Sequence, residues 1–284
     1  MLYLWHNLNS FLSIFLNLIS SKIRKPTVFQ VGIANKYFET DTTKFAYTIN
    51  HSDSYFADPF IFQLNNIKYI FCEKYWKISK KGVIVVFQIS EENKLIDLGV
   101  ALEEDFHLSF PFIFEFRKNI YMVPESKSAE KVILYKNITW PDKWQQISVL
   151  LEGSKAADSV IFRHDEIWWL LTTFDSAGTS MSQSELHVYF SPELESGNWE
   201  KHPKNPVIID SYKGRNAGFF MDGDRLIRCS QSMQDYQYGR KLNFHEITKL
   251  TNFEYLETDL DLGNFSYSHS YDTKYGLSVI DTRF

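Results

Sequence analysis

Short apolar runs recur along this chain in pairs, each pair split by a polar turn. The leading runs are Ala57-Asp58-Pro59-Phe60-Ile61-Phe62, Phe110-Pro111-Phe112-Ile113-Phe114, Asp158-Ser159-Val160-Ile161-Phe162 and Asn216-Ala217-Gly218-Phe219-Phe220, about fifty residues apart. Six residues after the last Phe of each begins a second run: Lys68-Tyr69-Ile70-Phe71, Ile120-Tyr121-Met122-Val123, Trp168-Trp169-Leu170-Leu171 and Leu226-Ile227-Arg228-Cys229. Runs this short, rich in aromatic and β-branched residues, predict strands, and their pairing predicts hairpins. A period near fifty residues with four strands per unit predicts an all-β fold, a β-propeller, because each blade buries both faces only between its neighbours.

In the first blade Pro59–Phe62 is expected innermost, followed outward by Tyr69–Glu73, Val83–Ile89 and Leu98–Leu102. Outer strands are expected at Val132–Tyr135 and Gln146–Leu151, at Leu186–Phe190, and at Leu242–Glu246 and Tyr255–Leu260. A weaker fifth copy runs from Ser266 through Leu277-Ser278-Val279-Ile280-Asp281 and stops after about two strands. Thr27–Ala34 would supply what it lacks, closing a five-bladed ring between the two ends of the chain. No linker interrupts residues 26–284, which read as one domain.

Composition narrows the class. With 44% hydrophobic and 17% aromatic residues among 284, the chain can fill a large core. A net charge of −5, with no basic cluster beyond Lys22-Ile23-Arg24-Lys25, argues against a nucleic-acid partner. The two cysteines, Cys72 and Cys229, fall in strands of different repeats, so no disulfide is expected and a reducing compartment fits. Ahead of the repeats, Phe11–Ile19 lacks a basic leader and a cleavage site and is short for a membrane span. As a helix it gathers Trp5, Leu8, Leu12, Phe15, Leu16 and Ile19 on one face and Asn7, Ser10, Ser13, Asn17 and Ser20 on the other. Residues 1–25 are therefore expected to form a short amphipathic helix, either lying on an anionic, cytoplasmic membrane surface or packed against protein.

The repeats also give chemistry an address. Asp58, Phe110, Asp158 and Asn216 stand where the inner strands begin, around one mouth of the central channel. Fifteen residues later come Glu73, Glu125, Thr173 and Gln231, which the hairpins return to the same end. Carboxylates converging on a funnel suit glycosyl transfer or hydrolysis, one as base or nucleophile and one as proton donor, and crowding pushes their pKa values apart. Asp58, Glu125 and Asp158 are the catalytic candidates and Glu73 a substrate-binding one. The competing reading has Asp58 and Asp158 merely capping strand ends.

His107, Arg215, Gln231, Arg240 and His269 lie near the same strand ends and are candidates for holding substrate, Arg215 because its planar fork suits phosphate or carboxylate. The competing roles are an inter-blade salt bridge for Arg215 and structural histidines. Trp140, Trp144, Trp168, Trp169 and Trp199 read as blade packing. No phosphate-binding loop, dinucleotide fingerprint, His-Glu-x-x-His or Cys-x-x-Cys occurs.

Asp58-Pro59-Phe60 resembles the signature that opens the first blade of the arabinanase, levansucrase and invertase propellers. His107-Leu108-Ser109-Phe110-Pro111-Phe112, Met122-Val123-Pro124-Glu125-Ser126, Leu150-Leu151-Glu152-Gly153, Asn205-Pro206-Val207, Arg215-Asn216-Ala217-Gly218 and Tyr238-Gly239-Arg240 resemble the N-terminal domain of plant glucosamine inositolphosphorylceramide transferases and stand-alone bacterial relatives linked to surface polysaccharides. The resemblance implies that Asp58 acts as base or nucleophile. The carboxylate that would tune it is replaced by Phe110, and the nearest proton donors are Asp158 and Glu125. The preferred expectation is a glycosyltransferase of surface-polysaccharide or glycolipid assembly, with Asp58 as base and Arg215 and Arg240 near a leaving phosphate. Its substrates would be a nucleotide- or lipid-linked sugar donor and a glycan or glycolipid acceptor at the cytoplasmic side of a membrane. No resident cofactor is implied, and a channel metal and the oligomeric state stay open. A furanoside hydrolase and a non-catalytic glycan-binding propeller are the alternatives.

Overall fold

The computed structural model describes residues 28–48, 51–92, 94–175, 185–232 and 239–283. The helix expected over residues 1–25 lies outside them. The described chain is all-β and forms five sheets arranged as the blades of a propeller.

Two short strands come first, β1 (Phe29–Ala34) and β2 (Ala46–Tyr47). Blade one is then β3 (Ser54–Leu64), β4 (Ile67–Trp76), β5 (Lys81–Ile89) and β6 (Leu95–Leu102), and blade two is β7 (Ser109–Phe116), β8 (Asn119–Glu125), β9 (Lys131–Thr139) and β10 (Lys143–Glu152). Blade three holds β11 (Ala157–His164), β12 (Ile167–Phe174), β13 (Glu185–Ser191) and two short outer pieces, β14 (Glu200–Lys201) and β15 (Ile208–Ile209), both paired to β13. Blade four is β16 (Arg215–Asp222), β17 (Arg225–Ser232), β18 (Lys241–Leu250) and β19 (Tyr255–Ser266). Blade five joins β20 (Tyr271–Lys274) and β21 (Leu277–Arg283) to the opening strands, in the order β20-β21-β1-β2. The expected closure is therefore observed, with Phe29 opposite Arg283 and Ala34 opposite Ser278.

Local chemistry sets the hairpins. Asn65-Asn66, Arg117-Lys118, Asp165-Glu166 and Tyr275-Gly276 are two-residue turns with both φ angles positive, between +49° and +76°. Such turns follow the twist of the flanking strands, so each inner hairpin reverses tightly at the end away from the mouth.

Between blades, aromatic rings interlock. Phe60 of blade one meets Phe110 of blade two edge-on at 4.8 Å, and Phe162 of blade three stacks on Phe219 of blade four at 4.0 Å. Each such contact contributes about 0.5–1.5 kcal/mol beyond the burial of its area. Trp140, in the β9–β10 turn, reaches across to Phe62, Tyr69 and Phe71 of blade one at 4.9–5.5 Å, and Trp168 meets Phe114 and Phe116 of blade two. Trp140 and Trp168 thus act in packing. Cys72 and Cys229 are buried and unpaired to each other, in blades one and four.

Blades four and five meet at Gly218, whose φ is +142° and whose Cα faces the Tyr271 carbonyl so tightly that a Cβ would collide with it. Gly218→Ala should therefore cost about 2–4 kcal/mol, combining backbone strain with steric displacement of β20. Urea unfolding checks this; a loss below about 0.5 kcal/mol would mean that blade five yields freely.

Candidate functional site

The mouth is built from a bulge repeated in successive inner strands. Ala57 pairs with Glu73, Ser109 with Glu125 and Ala157 with Thr173, and in each case two residues of the inner strand then oppose one of its neighbour. The fifteen-residue spacing read from the sequence is thereby refined: Glu73 stands opposite Ala57 rather than Asp58, because the bulge takes Asp58 out of the ladder. Asp58, Phe110 and Asp158 all adopt left-handed backbone, with φ of +51°, +46° and +48°. Aspartate tolerates that region through its short polar side chain, whereas Phe seldom enters it. Phe110 is held there by burial against Phe60, so the blade-two seat of the ring is filled by core.

A cavity of about 180 Å³ opens at this end, and Asp58, Glu73, His107, Glu125, Arg215 and His269 all line it. Tyr55 and Tyr75, stacked at 5.0 Å, form an aromatic wall with Phe29 and the edge of His107. Asp158 and Gln231 lie directly behind. Arg215 Nε donates to Asp158 Oδ2 at 2.5 Å, Gln231 Nε2 reaches the same oxygen at 3.4 Å, and the Asp158 amide donates to Glu125 Oε2 at 3.2 Å. The salt-bridge alternative for Arg215 is thus present in the geometry even though the residue lines the cavity. Arg240 is absent from the lining; its amide donates to Ser232 O and its carbonyl accepts from Tyr267 N.

One member was not foreseen. Asp281, fully buried near the end of β21, accepts hydrogen bonds from the amides of Asp58 at 2.9 Å, His269 at 3.0 Å and Ser270 at 2.9 Å, and contacts His269 Nδ1. His269 Nδ1 is also 3.6 Å from Asp58 Oδ1, and Phe29 stacks on its ring at 4.0 Å. Asp58, His269 and Asp281 place their donor atoms within 4.8 Å of one another, as do His245, Glu257 and Asp259 in blade four. These two clusters are the described residues that could surround a cation. In the first, amides already occupy Asp281; in the second, Arg228 holds Glu257 at 2.7 Å.

Burial dominates the electrostatics. It pushes Asp58 well above the usual carboxylate range, with the His269 cation opposing and Asp281, Glu73 and Asp158 adding to the rise. Glu73 is driven well up by burial and by Glu125, Asp281 and Asp158. Glu125 is pushed up to about 8 by burial and by Asp158, against Arg215 and Lys127. Burial alone would lower His269, but Asp281 and Asp58 outweigh it and raise its pKa; burial alone would raise Asp281, but His269 and the amides lower it. His107 is lowered by burial. Its Nδ1 accepts the Gly82 amide at 2.9 Å, so the neutral ring carries its proton on Nε2, 3.4 Å from Glu73 Oε1. Gly82 permits this approach: a Cβ there would strike Glu73 Oε1, the Leu108 carbonyl and the His107 ring.

Comparison with known proteins agrees with this architecture. The family described as the N-terminal part of glucosamine inositolphosphorylceramide transferase 1 matches residues 25–277. Glucosamine inositolphosphorylceramide transferase 1 of Oryza sativa subsp. japonica is 31% identical over 218 residues, covering 75% of this chain and 29% of that protein. The protein of the same name from Arabidopsis thaliana is 31% identical over 212 residues, covering 73% and 27%. The chain therefore spans under a third of the length of these relatives. In structure it is similar to a family 117 glycoside hydrolase from Zobellia galactanivorans, with TM-score 0.56 and 11% identity over 90% of each chain. It is also similar to the catalytic domain of a GH62 α-L-arabinofuranosidase from Coprinopsis cinerea, with TM-score 0.57 and 10% identity over 86% of this chain and 82% of that one. At these identities the two structures share the fold.

A carboxyl whose folded pKa lies above its unfolded value binds more protons when folded, so stability falls as pH rises between the two. For Glu125 that window runs from 4.5 to about 8. Glu125→Gln keeps the acceptor for the Asp158 amide and removes the titration. Its melting temperature should decline less steeply than the wild type across this window, with the largest relative gain on the alkaline side. Parallel curves from pH 4.5 to pH 8 would show that Glu125 is not held protonated.

Proposed function

The chain belongs to the family of the N-terminal domain of glucosamine inositolphosphorylceramide transferase 1, and on that footing we infer that it is a carbohydrate-active enzyme, a glycosyltransferase working in the propeller mouth. The observation that carries this reading is the convergence of Asp58 and Glu125, both raised by burial, on one cavity walled by Tyr55 and Tyr75. Aromatic faces suit the apolar side of a sugar ring, and paired carboxyls in different electrostatic settings divide into base and acid.

In this reading the ionised form of Asp58, which the His269 cation favours against burial, accepts the proton of the acceptor hydroxyl as that oxygen bonds to the anomeric carbon of the donor. The bond from that carbon to the leaving oxygen breaks, and Glu125, protonated up to about pH 8, can deliver its proton there. His269, made more basic by Asp281 and Asp58, steadies the charge on Asp58. Arg215 meets a leaving phosphate with its Nε committed to Asp158. Around these two cations stand Asp58, Glu73, Glu125, Asp158 and Asp281; carboxyls held protonated can donate to hydroxyls and ionised ones can accept from an amino group, which favours a neutral or amino-bearing sugar in the depth of the cavity and any phosphate at its rim. An amino sugar agrees with the glucosamine in the relatives' names.

Hydrolysis of a glycoside is the second reading, and the protonation of Glu125 favours it: an unactivated alkoxide must be protonated to leave, whereas a phosphate need not be. Mass spectrometry of products separates the two. Incubation with nucleotide sugars and glycan or glycolipid acceptors should yield glycosylated acceptor only when the donor is present, and Asp58→Asn should lower turnover by about 10²–10⁴-fold. Free sugar released from furanosides without an activated donor would overturn the transferase reading. Glycan binding with no turnover, unchanged in Asp58→Asn, would overturn both in favour of a binding module.

A further inference from the structure

At the opposite end of the hairpins lies a larger cleft, about 620 Å³, between blades two and three. It is separate from the mouth: Arg117 sits in the turn after β7 and Arg163 near the end of β11, at the strand ends away from Glu125 and Asp158. Its volume falls within the range of small-molecule sites.

The two sides of the cleft differ in chemistry. On one, the guanidiniums of Arg117 and Arg163, from adjacent blades, converge on a single ring: Arg117 lies 5.0 Å and Arg163 5.5 Å from the centroid of Phe116. Phe116 is itself braced edge-on by buried Trp168 at 4.8 Å. Arg163 meets one carboxylate, the outlying Glu166 at 2.6 Å, and among the described residues Arg117 makes no ion pair. On the other side the segment after β13 brings the Glu195 carboxylate to the cleft. Leu194 is buried and anchors the segment, Ser191 Oγ donates to Glu193 O at 2.8 Å, and the Tyr121 hydroxyl donates to Glu195 Oε1 at 2.7 Å. One wall thus offers paired cationic forks over an aromatic platform, and the facing wall offers an oriented carboxylate acceptor.

We propose that this cleft is a second carbohydrate site, which binds a sugar unit bearing an anionic group, a carboxylate or a phosphate. The guanidiniums take the anion in the fork geometry that suits both groups. The Phe116 face, braced from behind by Trp168, lies against the sugar, and Glu195 accepts hydrogen bonds from its hydroxyls. A neutral sugar leaves the guanidinium wall unused, and a bare anion leaves Glu195 unused and faces its charge. Because the site shares no residue with the mouth, it stands or falls independently of the activity inferred there.

Isothermal titration of the whole chain tests it with glucuronate, galacturonate, glucose 6-phosphate, glucose and inorganic phosphate. At least one acidic sugar should bind about tenfold or more tighter than both glucose and inorganic phosphate, the scale of a single charged hydrogen-bond contact. The Arg117→Ala/Arg163→Ala double variant should lose that preference while its melting temperature holds, since both side chains are on the surface. Glu195→Gln should weaken the acidic sugar without strengthening glucose. Asp58→Asn should leave binding unchanged, which distinguishes this cleft from the mouth. The comparison of uronate with phosphate identifies which anion is preferred. The proposal is overturned if no acidic sugar binds, if glucose or inorganic phosphate binds as well as they do, or if the double variant keeps the affinity.

Discussion

A propeller blade cannot stand alone, and here the last one is assembled from both ends of the chain. The pairing of β1 with β21 supplies the strand ladder, but the closure is also drawn into the centre by Asp281. Fully buried, this carboxylate accepts amides from blade one and from the entrance to blade five and holds the His269 ring. A buried charge with fewer partners would be strongly destabilising; with these four, its pKa is lowered and the group stays ionised. One step along, Asp272 accepts the Ile61 amide at 2.8 Å, though there burial prevails and raises the pKa, so two acids of blade five stitch the inner strand of blade one. The left-handed bulge at Asp58 is among the things these contacts fix, and the placement of the candidate base therefore depends on the ring being closed.

The mouth is consequently a place where desolvation outweighs charge pairing. Arg215 and His269 cannot neutralise the carboxyls around them, and the balance is restored by protons held on Glu125 and by upward shifts of Asp58 and Glu73. Such strained equilibria are common where chemistry is done, because the two forms of each acid are close in energy. The far cleft differs: its charges are near the surface, more fully solvated, and arranged by the turns rather than by the bulges.

Much of the architecture was legible because the sequence states it periodically. The six-residue gap between paired runs corresponds to two-residue turns, and the weak fifth copy marks a blade completed by β1. The carboxylates of the second strands, Glu73 and Glu125, were found from the same spacing. Asp281 was not, since its blade is divided between the termini and has no full copy against which to align. Tyr55 and Tyr75 were missed for a related reason: they flank the repeat without being part of it, and no counterparts occur in the other blades. The pairing of Arg215 with Asp158 joins residues fifty-seven apart, an inter-blade contact on which periodicity within a blade is silent.

Gly82 gives the arrangement a marker of unusual economy. Its missing side chain is the space in which Glu73 and His107 meet, beside the Leu108 carbonyl and on a backbone tied by the Leu108 amide donating to the Gly82 carbonyl. When other members of this family are compared, the letter at this position will say whether that pair can exist before any three-dimensional information is gathered. A chain with a bulky residue there has given up the contact, whatever it retains of Asp58 and Glu125, and must work its mouth by a different division of labour.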